Sequence, residues 1–286
     1  MEESNMRLLR LSEVEIGAND RIFRYSRTHA VVVALIAFSA AAWFAVHAYT
    51  AQWKLGYFIA AAIILFLDLF RRFVTARFRP SSWLVRMNDL GVYIQFRSYL
   101  NYHLPSEDVT VVFISFGDIR SARLIKERLT TPDPQGRGTQ TQFLRHIELE
   151  LAGDMTPLSQ ALDAEAGESA PTEKHWYGTS STLYQDHPVR MDPLPFLRIH
   201  WQVVPGTHKF LDALRPYTTI AETVSMNEDF SHLQSLSRDE QLKRLRDLAA
   251  RGQTVNAIYA ARKLYGCGLA EAKGMVEARN ASAAGK

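Results

Sequence analysis

The chain has 286 residues, 47% of them hydrophobic, with 33 Lys and Arg against 30 Asp and Glu and a formal charge of +3. That length suits a buried core and about two domains, and the near balance of charge gives no support to a nucleic-acid binder, for which a pronounced basic stripe is expected. A single cysteine, Cys267, excludes an internal disulfide and fits a reducing compartment.

Apolar residues crowd into positions 31–70, while everything after Phe78 has a mixed, globular composition. An anchored protein is expected, not a polytopic transporter. From Thr28 to Trp53 no side chain is charged, a run of 26 residues where a bilayer core needs roughly 20. A second run, LGYFIAAAIILFLDLF at 55–70, is interrupted by Asp68. Its place near the helix end, in reach of Arg71 or Arg72, reads as an interfacial ion pair and not as an intramembrane proton site.

Only TAQWK separates the runs, so a two-span hairpin over 29–72 is predicted, with both outer flanks on one side. Those flanks carry Arg21, Arg24 and Arg27, then Arg71, Arg72, Arg77 and Arg79, against Lys54 alone in the turn. The positive-inside rule then places both termini in the cytoplasm of a bacterium, with the chain in its inner membrane. Residues 1–28 become a cytoplasmic segment and not a cleaved signal peptide, since mixed charge precedes the first run and a second follows it. Trp43, Tyr49, Trp53 and Tyr57 mark the far interface. Arg71, Arg72, Arg77 and Arg79 also suit contact with anionic lipid headgroups, at about 1 kcal/mol per basic residue, although orientation alone explains them equally well. Ala37, Ala41 and Ala45, with Gly56 and Ala60, form small-residue stripes for packing within the hairpin or between copies in a homo-oligomer.

After Pro80 the pattern alternates. Strands are predicted at Trp83–Met87 and Val92–Tyr99 around the turn NDLG, in VTVVFISFGDIRSARLIKER with a break at Gly117 and Asp118, and in QFLRHIELEL. TPDPQGRGTQ reads as a turn. Thr156 as N-cap, Pro157 at the first helical position and Gly167 beyond the end frame a short helix. ESAPTEKHWYGTSST is polar and patternless and reads as a mobile surface loop. HPVRM and FLRIHWQVV return to strand, and GTHKFLDALRPY gives a helix with Phe210, Leu211, Leu214 and Tyr217 on one face. The block 82–220 is therefore a mainly antiparallel β module with two helices. A membrane hairpin followed by WLVRMNDLGVYI and then FGDIRSARLI resembles the bacterial membrane-associated pleckstrin-homology-like domains, over residues 82 to about 150. That resemblance implies a binding or scaffolding role.

Residues 237–280 form a third region. Ser237 and Glu240 make a capping box, ahead of an apolar stripe at Leu242, Leu245, Leu248 and Ala249, with Gly252 as the stop. A second helix, at about 254–265, carries Val255, Ile258 and Leu264. Gly266 and Gly268 turn the chain with positive φ available, and a third helix from Leu269 carries Ala272, Met275 and Val276. The stretch GCGLAEAK, followed by Val276 and Glu277, resembles the signature turn of the carboxy-terminal domain of the bacterial ribosomal stalk protein L7/L12, with Arg262 at a position basic in that family. Tyr259 and Ala270 stand where that family has lysines, and the strands that complete its domain are not found after Glu277. The resemblance implies a helical hairpin for protein contact through Tyr259, Arg262, Glu271 and Lys273, with ribosomes or translation factors as the alternative partner.

No catalytic pattern emerges. His175, His187, His200 and His208 match no metal-ligand spacing, and there is no Gly-x-Ser-x-Gly elbow or Gly-rich phosphate loop. Cys267 reads as a packed turn residue. The expectation is an α+β protein without cofactor or metal, acting by binding and not by catalysis. An enzyme with an unrecognised site is the remaining alternative.

Overall fold

The computed structural model describes residues 6–15, 17–101, 109–132, 139–168, 172–175, 178–181, 186–192, 195–229, 233–250 and 254–277. The chain folds as two units, one of residues 1–123 with 147–221, the other of 124–146 with 222–286. Helix and antiparallel sheet are mixed, as the alternating and helical periodicities require.

In the first unit, β1 (Arg7–Arg10) and β2 (Arg21–Tyr25) precede a helical hairpin of α1 (Arg27–Thr50) and α2 (Lys54–Ala76). After the hairpin come β3 (Trp83–Met87), β4 (Gly91–Gln95) and β5 (Thr110–Ser115). Segment 1–28 is thus more than a leader to the helices: β1 pairs with β5 and β2 with β3, both antiparallel. The sheet runs β1-β5-β4-β3-β2-β12, its last strand being β12 (Val203–Val204). Turn chemistry sets the β3–β4 register, because Asn88 Oδ1 accepts the amides of Leu90 and Gly91 at 2.9 and 3.0 Å and leaves Met87 opposite Val92. The strand predicted to reach Tyr99 stops at Gln95, and Tyr99–Asn101 form a 3-10 turn.

Beyond a 3-10 turn at Phe116–Asp118, where a break was expected, lie two long strands, β6 (Ile119–Pro132) and β7 (Thr139–Leu151). They begin a second sheet with β10 (Val189–Asp192) and β11 (Phe196–His200), in the order β10-β11-β7-β6-β13. Its last strand, β13 (Thr219–Ile220), is parallel to β6, so the mainly antiparallel block includes a parallel pairing and its strands fall in more than one sheet. The helix predicted near Pro157 is α3 (Thr156–Gly167), but Thr156 is its first residue and not the cap; Asp154 Oδ1 accepts the Thr156 amide at 2.9 Å instead. Within the stretch read as a patternless loop, β8 (Thr172–His175) pairs antiparallel with β9 (Gly178–Ser181). Cross-strand backbone bonding needs no apolar alternation. α4 (Thr207–Leu214) buries Phe210, Leu211 and Leu214. Phe210, Phe23 and Trp201 meet one another edge-on or tilted, with centroids 5.0–5.3 Å apart. Tyr217 lies past the helix and stacks on Phe116 at 3.8 Å.

The two hairpin helices touch through small residues. A Cβ on Gly56 would sit 2.7 Å from Ala48 Cβ, and Ala41, Ala48 and Ala60 are buried. Outward, Leu35, Ile36 and Phe38 of α1 and Phe58, Ile64 and Leu65 of α2 are each more than half exposed. Asp68 and Arg71 form the expected ion pair at 3.2 Å. By length and composition, Ala30–Thr50 is apolar enough to cross a membrane.

In the second unit, β14 (Val224–Asp229) runs parallel to residues 125–130 of β6. It is followed by α5 (Arg238–Ala250), α6 (Thr254–Tyr265) and α7 (Leu269–Glu277). The capping box forms, with Ser237 N–H donating to Glu240 Oε2 at 3.2 Å and Glu240 N–H to Ser237 Oγ at 3.4 Å. Leu245, Leu248, Ala257, Ala260, Ala261, Ala272 and Val276 bury themselves around Leu129 of β6, with Leu144 of β7 against them. Strands from earlier in the chain, β6 and β7, close this helical face. On α6 Ile258 and Leu264 pack partly buried against this core as expected, whereas Val255 is 72% exposed and the fully buried residues are the alanines. Small side chains admit the close approach of α5 and α7 that larger ones would block. Of the turn glycines, Gly266 has φ +62°. The residues proposed as a helix stop at Gly252 and most of the TPDPQGRGTQ turn lie outside the described residues.

Leu248→Ala is expected to destabilise the second unit by about 2–5 kcal/mol, whereas Val255→Ala changes it by less than about 0.5 kcal/mol. Hydrogen exchange of the α5–α7 amides in the full chain reads both.

Candidate functional site

At the foot of the helical hairpin, chain segments remote in sequence bring a polar cluster together. The Arg27 guanidinium, at the start of α1, donates to the carbonyls of Arg77 and Phe78 at 3.3 and 3.4 Å and lies over the Phe78 ring. Arg77, just past α2, donates back to the Ser26 carbonyl at 3.5 Å and to the Tyr99 hydroxyl at 2.5 Å, with its guanidinium 4.7 Å from the centre of the Tyr99 ring. Two arginines thus clamp the helix ends crosswise.

Beside the clamp, Tyr25 packs on Tyr99 at 4.6 Å. Its hydroxyl is sealed from solvent. Burial, followed by the Asp186 carboxylate and Tyr99, raises the Tyr25 phenol well above its ordinary range, offset in part by the Ser98 hydroxyl. Asn101 holds Asp186 by its backbone, accepting the Asp186 amide at 2.9 Å and donating to its carbonyl at 3.3 Å. Burial raises the Asp186 carboxyl above its ordinary value, with Ser98 opposing. Burial lowers the neighbouring His187 imidazole, aided by Arg97 and opposed by Glu168. Asp186 Oδ2, His187 Nε2 and Arg97 Nη1 are buried without a hydrogen-bond partner from the protein, a condition in which bound water or a ligand supplies the partner.

Arg97 is 2% exposed and ion-paired to Glu165 of α3 and to Glu168 just past its end. Thr110 Oγ1 adds a hydrogen bond to Glu165 at 2.7 Å. With its charge balanced by two carboxylates, Arg97 braces the cluster. Two cavities adjoin it. One, of about 40 Å³, has Arg79, Ser82, Arg97, Ser98 and Asn101 among its lining residues; the other, of about 240 Å³, is lined by Tyr25, Ser26, Arg77, Tyr99 and Gln202. Hydrogen-bond donors outnumber acceptors in these walls, so the arrangement suits an acceptor-rich ligand.

The arginines singled out in the sequence therefore separate. Arg77 is built into the clamp, Arg79 lines the smaller cavity, Arg71 is exposed beside Asp68, and the Arg72 side chain lies outside the described residues. His187 joins the polar cluster, His200 Nδ1 meets the Gln202 amide at 2.9 Å, and His208 is exposed on α4. The His175 side chain is outside the description. Among the described residues no group of three His, Cys, Asp or Glu could hold a metal. In the second unit Tyr259, Arg262, Glu271 and Lys273 are exposed. Arg262 lies over the Tyr259 ring at 5.8 Å, and Cys267 is half-buried against the helical core. Tyr25, Ser98 and Asp186 gave no sequence signal, because each belongs to a different segment and only folding gathers them.

The pH response of the cluster follows from its two opposed shifts. His187 favours its neutral form in the fold, so it contributes stability above its unfolded pKa of 6.5 that is lost as pH falls through the lowered folded value. Asp186 favours its protonated form, so its contribution is present below 3.8 and lost as pH rises through the raised value. Thermal unfolding at several pH values should show Asp186→Asn raising stability at neutral pH with no gain below 3.8. His187→Gln should blunt the stability lost by the parent chain below pH 6.5.

Compared with family models, with curated proteins and with solved structures, the chain matches none.

Proposed function

We propose that the chain is a bacterial inner-membrane protein, anchored by α1 and α2, whose cytoplasmic units act by binding or scaffolding without catalysis of their own. The observation that carries this reading is the pairing of β2 with β3, from Arg21 opposite Met87 to Arg24 opposite Trp83. β2 ends before α1 and β3 begins after α2. If α1 crosses a bilayer, α2 has to cross back for these strands to meet. The exposed apolar surface on both helices supports the same reading, since side chains of that kind are costly in water and not in lipid. Burial of Phe23 and Tyr25 within β2 argues against removal of the amino-terminal segment.

Topology is testable by single cysteines in a Cys267→Ser chain. A membrane-impermeant thiol reagent should label Ala51→Cys, in the interhelical turn, only from the periplasmic side. Asp89→Cys, in the β3–β4 turn, should react only in inside-out vesicles. Labelling of both from one side overturns the two-span anchor.

For partner binding, the supporting feature is the exposed face of α6. Val255, Tyr259 and Arg262 follow at helical spacing, with Leu269 exposed at the start of α7, an aromatic, aliphatic and basic mixture typical of contact surfaces. Deleting the helices would uncover Leu129, so point substitutions are the cleaner probe. In-cell crosslinking of the full chain should lose its main partners on Tyr259→Ala with Arg262→Glu. Ribosomal proteins or translation factors among those partners would favour the alternative drawn from the stalk-protein resemblance. A second reading, an enzyme, draws support from the convergence of Tyr25, Asp186 and His187, whose perturbed protonation is of a kind found at catalytic centres.

A further inference from the structure

We infer that the 240 Å³ cleft at the foot of the hairpin, lined by Tyr25, Ser26, Arg77, Tyr99 and Gln202, is a phosphate-binding site. The inference rests on the membrane reading for one source of that phosphate, an anionic lipid headgroup, free phosphate being the other.

Arg77 is oriented before any ligand arrives. Two of its five N–H donors go to Ser26 and Tyr99, its plane is held over the Tyr99 ring, and the donors left over suit a doubly hydrogen-bonded phosphate oxygen pair. The charge of the surroundings points the same way. Arg27 is bonded to the Arg77 carbonyl and Arg79 lies two residues on, whereas the carboxylate acting on Tyr25 is Asp186, which burial drives towards its neutral form. The cleft volume is below the roughly 300–1,000 Å³ of drug-sized pockets, a size for a phosphate and a short stretch of what it esterifies. Position selects among phosphates. Tyr25 and Ser26 precede α1 and Arg77 follows α2, so in an inserted hairpin the cleft lies at the depth of lipid headgroups. Arg71, exposed and already paired with Asp68, lies about a turn and a half further up α2 and lines no cavity among those described.

The test is native mass spectrometry of the detergent-solubilised full chain, titrated separately with phosphatidylglycerol, phosphatidylcholine and inorganic phosphate. One phosphatidylglycerol should be retained in preference to phosphatidylcholine. Retention should weaken by at least about fivefold in Arg77→Gln and in Gln202→Glu, and stay unchanged in Arg71→Gln. Gln202 is exposed and its amide meets His200, so Gln202→Glu carries the result if Arg77→Gln fails to fold. Inorganic phosphate that binds with the same variant dependence, while phosphatidylglycerol does not, assigns the site to free phosphate. Equal weakening in all three variants, or in none, overturns the proposal as unspecific charge attraction. A chain that labels as a two-span protein yet retains neither ligand refutes the cleft and leaves the anchor standing. A chain that fails the topology test refutes the anchor, and the inorganic phosphate arm then decides the cleft alone.

Discussion

Everything in the first unit depends on a constraint of chain return. The backbone leaves β2 at Tyr25, travels up and down some 50 residues of apolar helix, and must come back to within one strand spacing so that β3 can bond to β2. Strand neighbours lie about 4.8 Å apart, so the feet of the two helices have almost no freedom to separate. The crosswise bonds of Arg27 and Arg77 act at that point, and Gly56 lets the helices approach at the other end of the hairpin. A lengthening of one helix alone would throw the strands out of register, which a half-buried sheet does not tolerate.

The same constraint explains why polar residues gather where they do. Helix ends leave carbonyls unsatisfied, and the chain just past α2 adds those of Arg77 and Phe78. Arginine reaches them from the side, binding two carbonyls at once with Arg27. The costs of burying such groups are met by pairing: Arg97 with Glu165 and Glu168, and Arg86 with Asp20. Elsewhere in the unit Glu148 is shared between Arg123 and Arg198. Removing one member of such a pair leaves a buried charge uncompensated, so these residues constrain the core as firmly as its leucines.

Much of this was legible in the sequence where the signal is local. The Asn88 turn, the Ser237–Glu240 box, the Asp68–Arg71 pair and the Gly266 turn all lie within four residues of chain, and each formed as its chemistry dictates. What escaped was set by partners far away. Residues 7–10 and 21–25 are too short and too charged to announce strands, yet they find β5 and β3 as templates. Parallel pairing of β14 with β6 has no local signature. On α6 the apolar pattern singled out Val255, Ile258 and Leu264 and passed over the alanines, whose burial follows from the neighbours that press on them. The polar cluster was the least legible: Arg77 stood out as one of several flanking arginines, but Tyr25, Ser98 and Asp186 are individually ordinary and become informative only when adjacent.

The order in which the second unit is assembled follows from its divided chain. Leu129 leaves the ribosome on β6, while Leu245 and Leu248, which cover it, lie on α5. About 115 residues separate them, which at 5–20 residues per second is roughly 6–23 s of synthesis. During that interval an apolar hairpin strand has no helical cover, so the nascent chain passes through a stage in which the second unit has its sheet residues but not its core. The unit closes only once α5, α6 and α7 have been made.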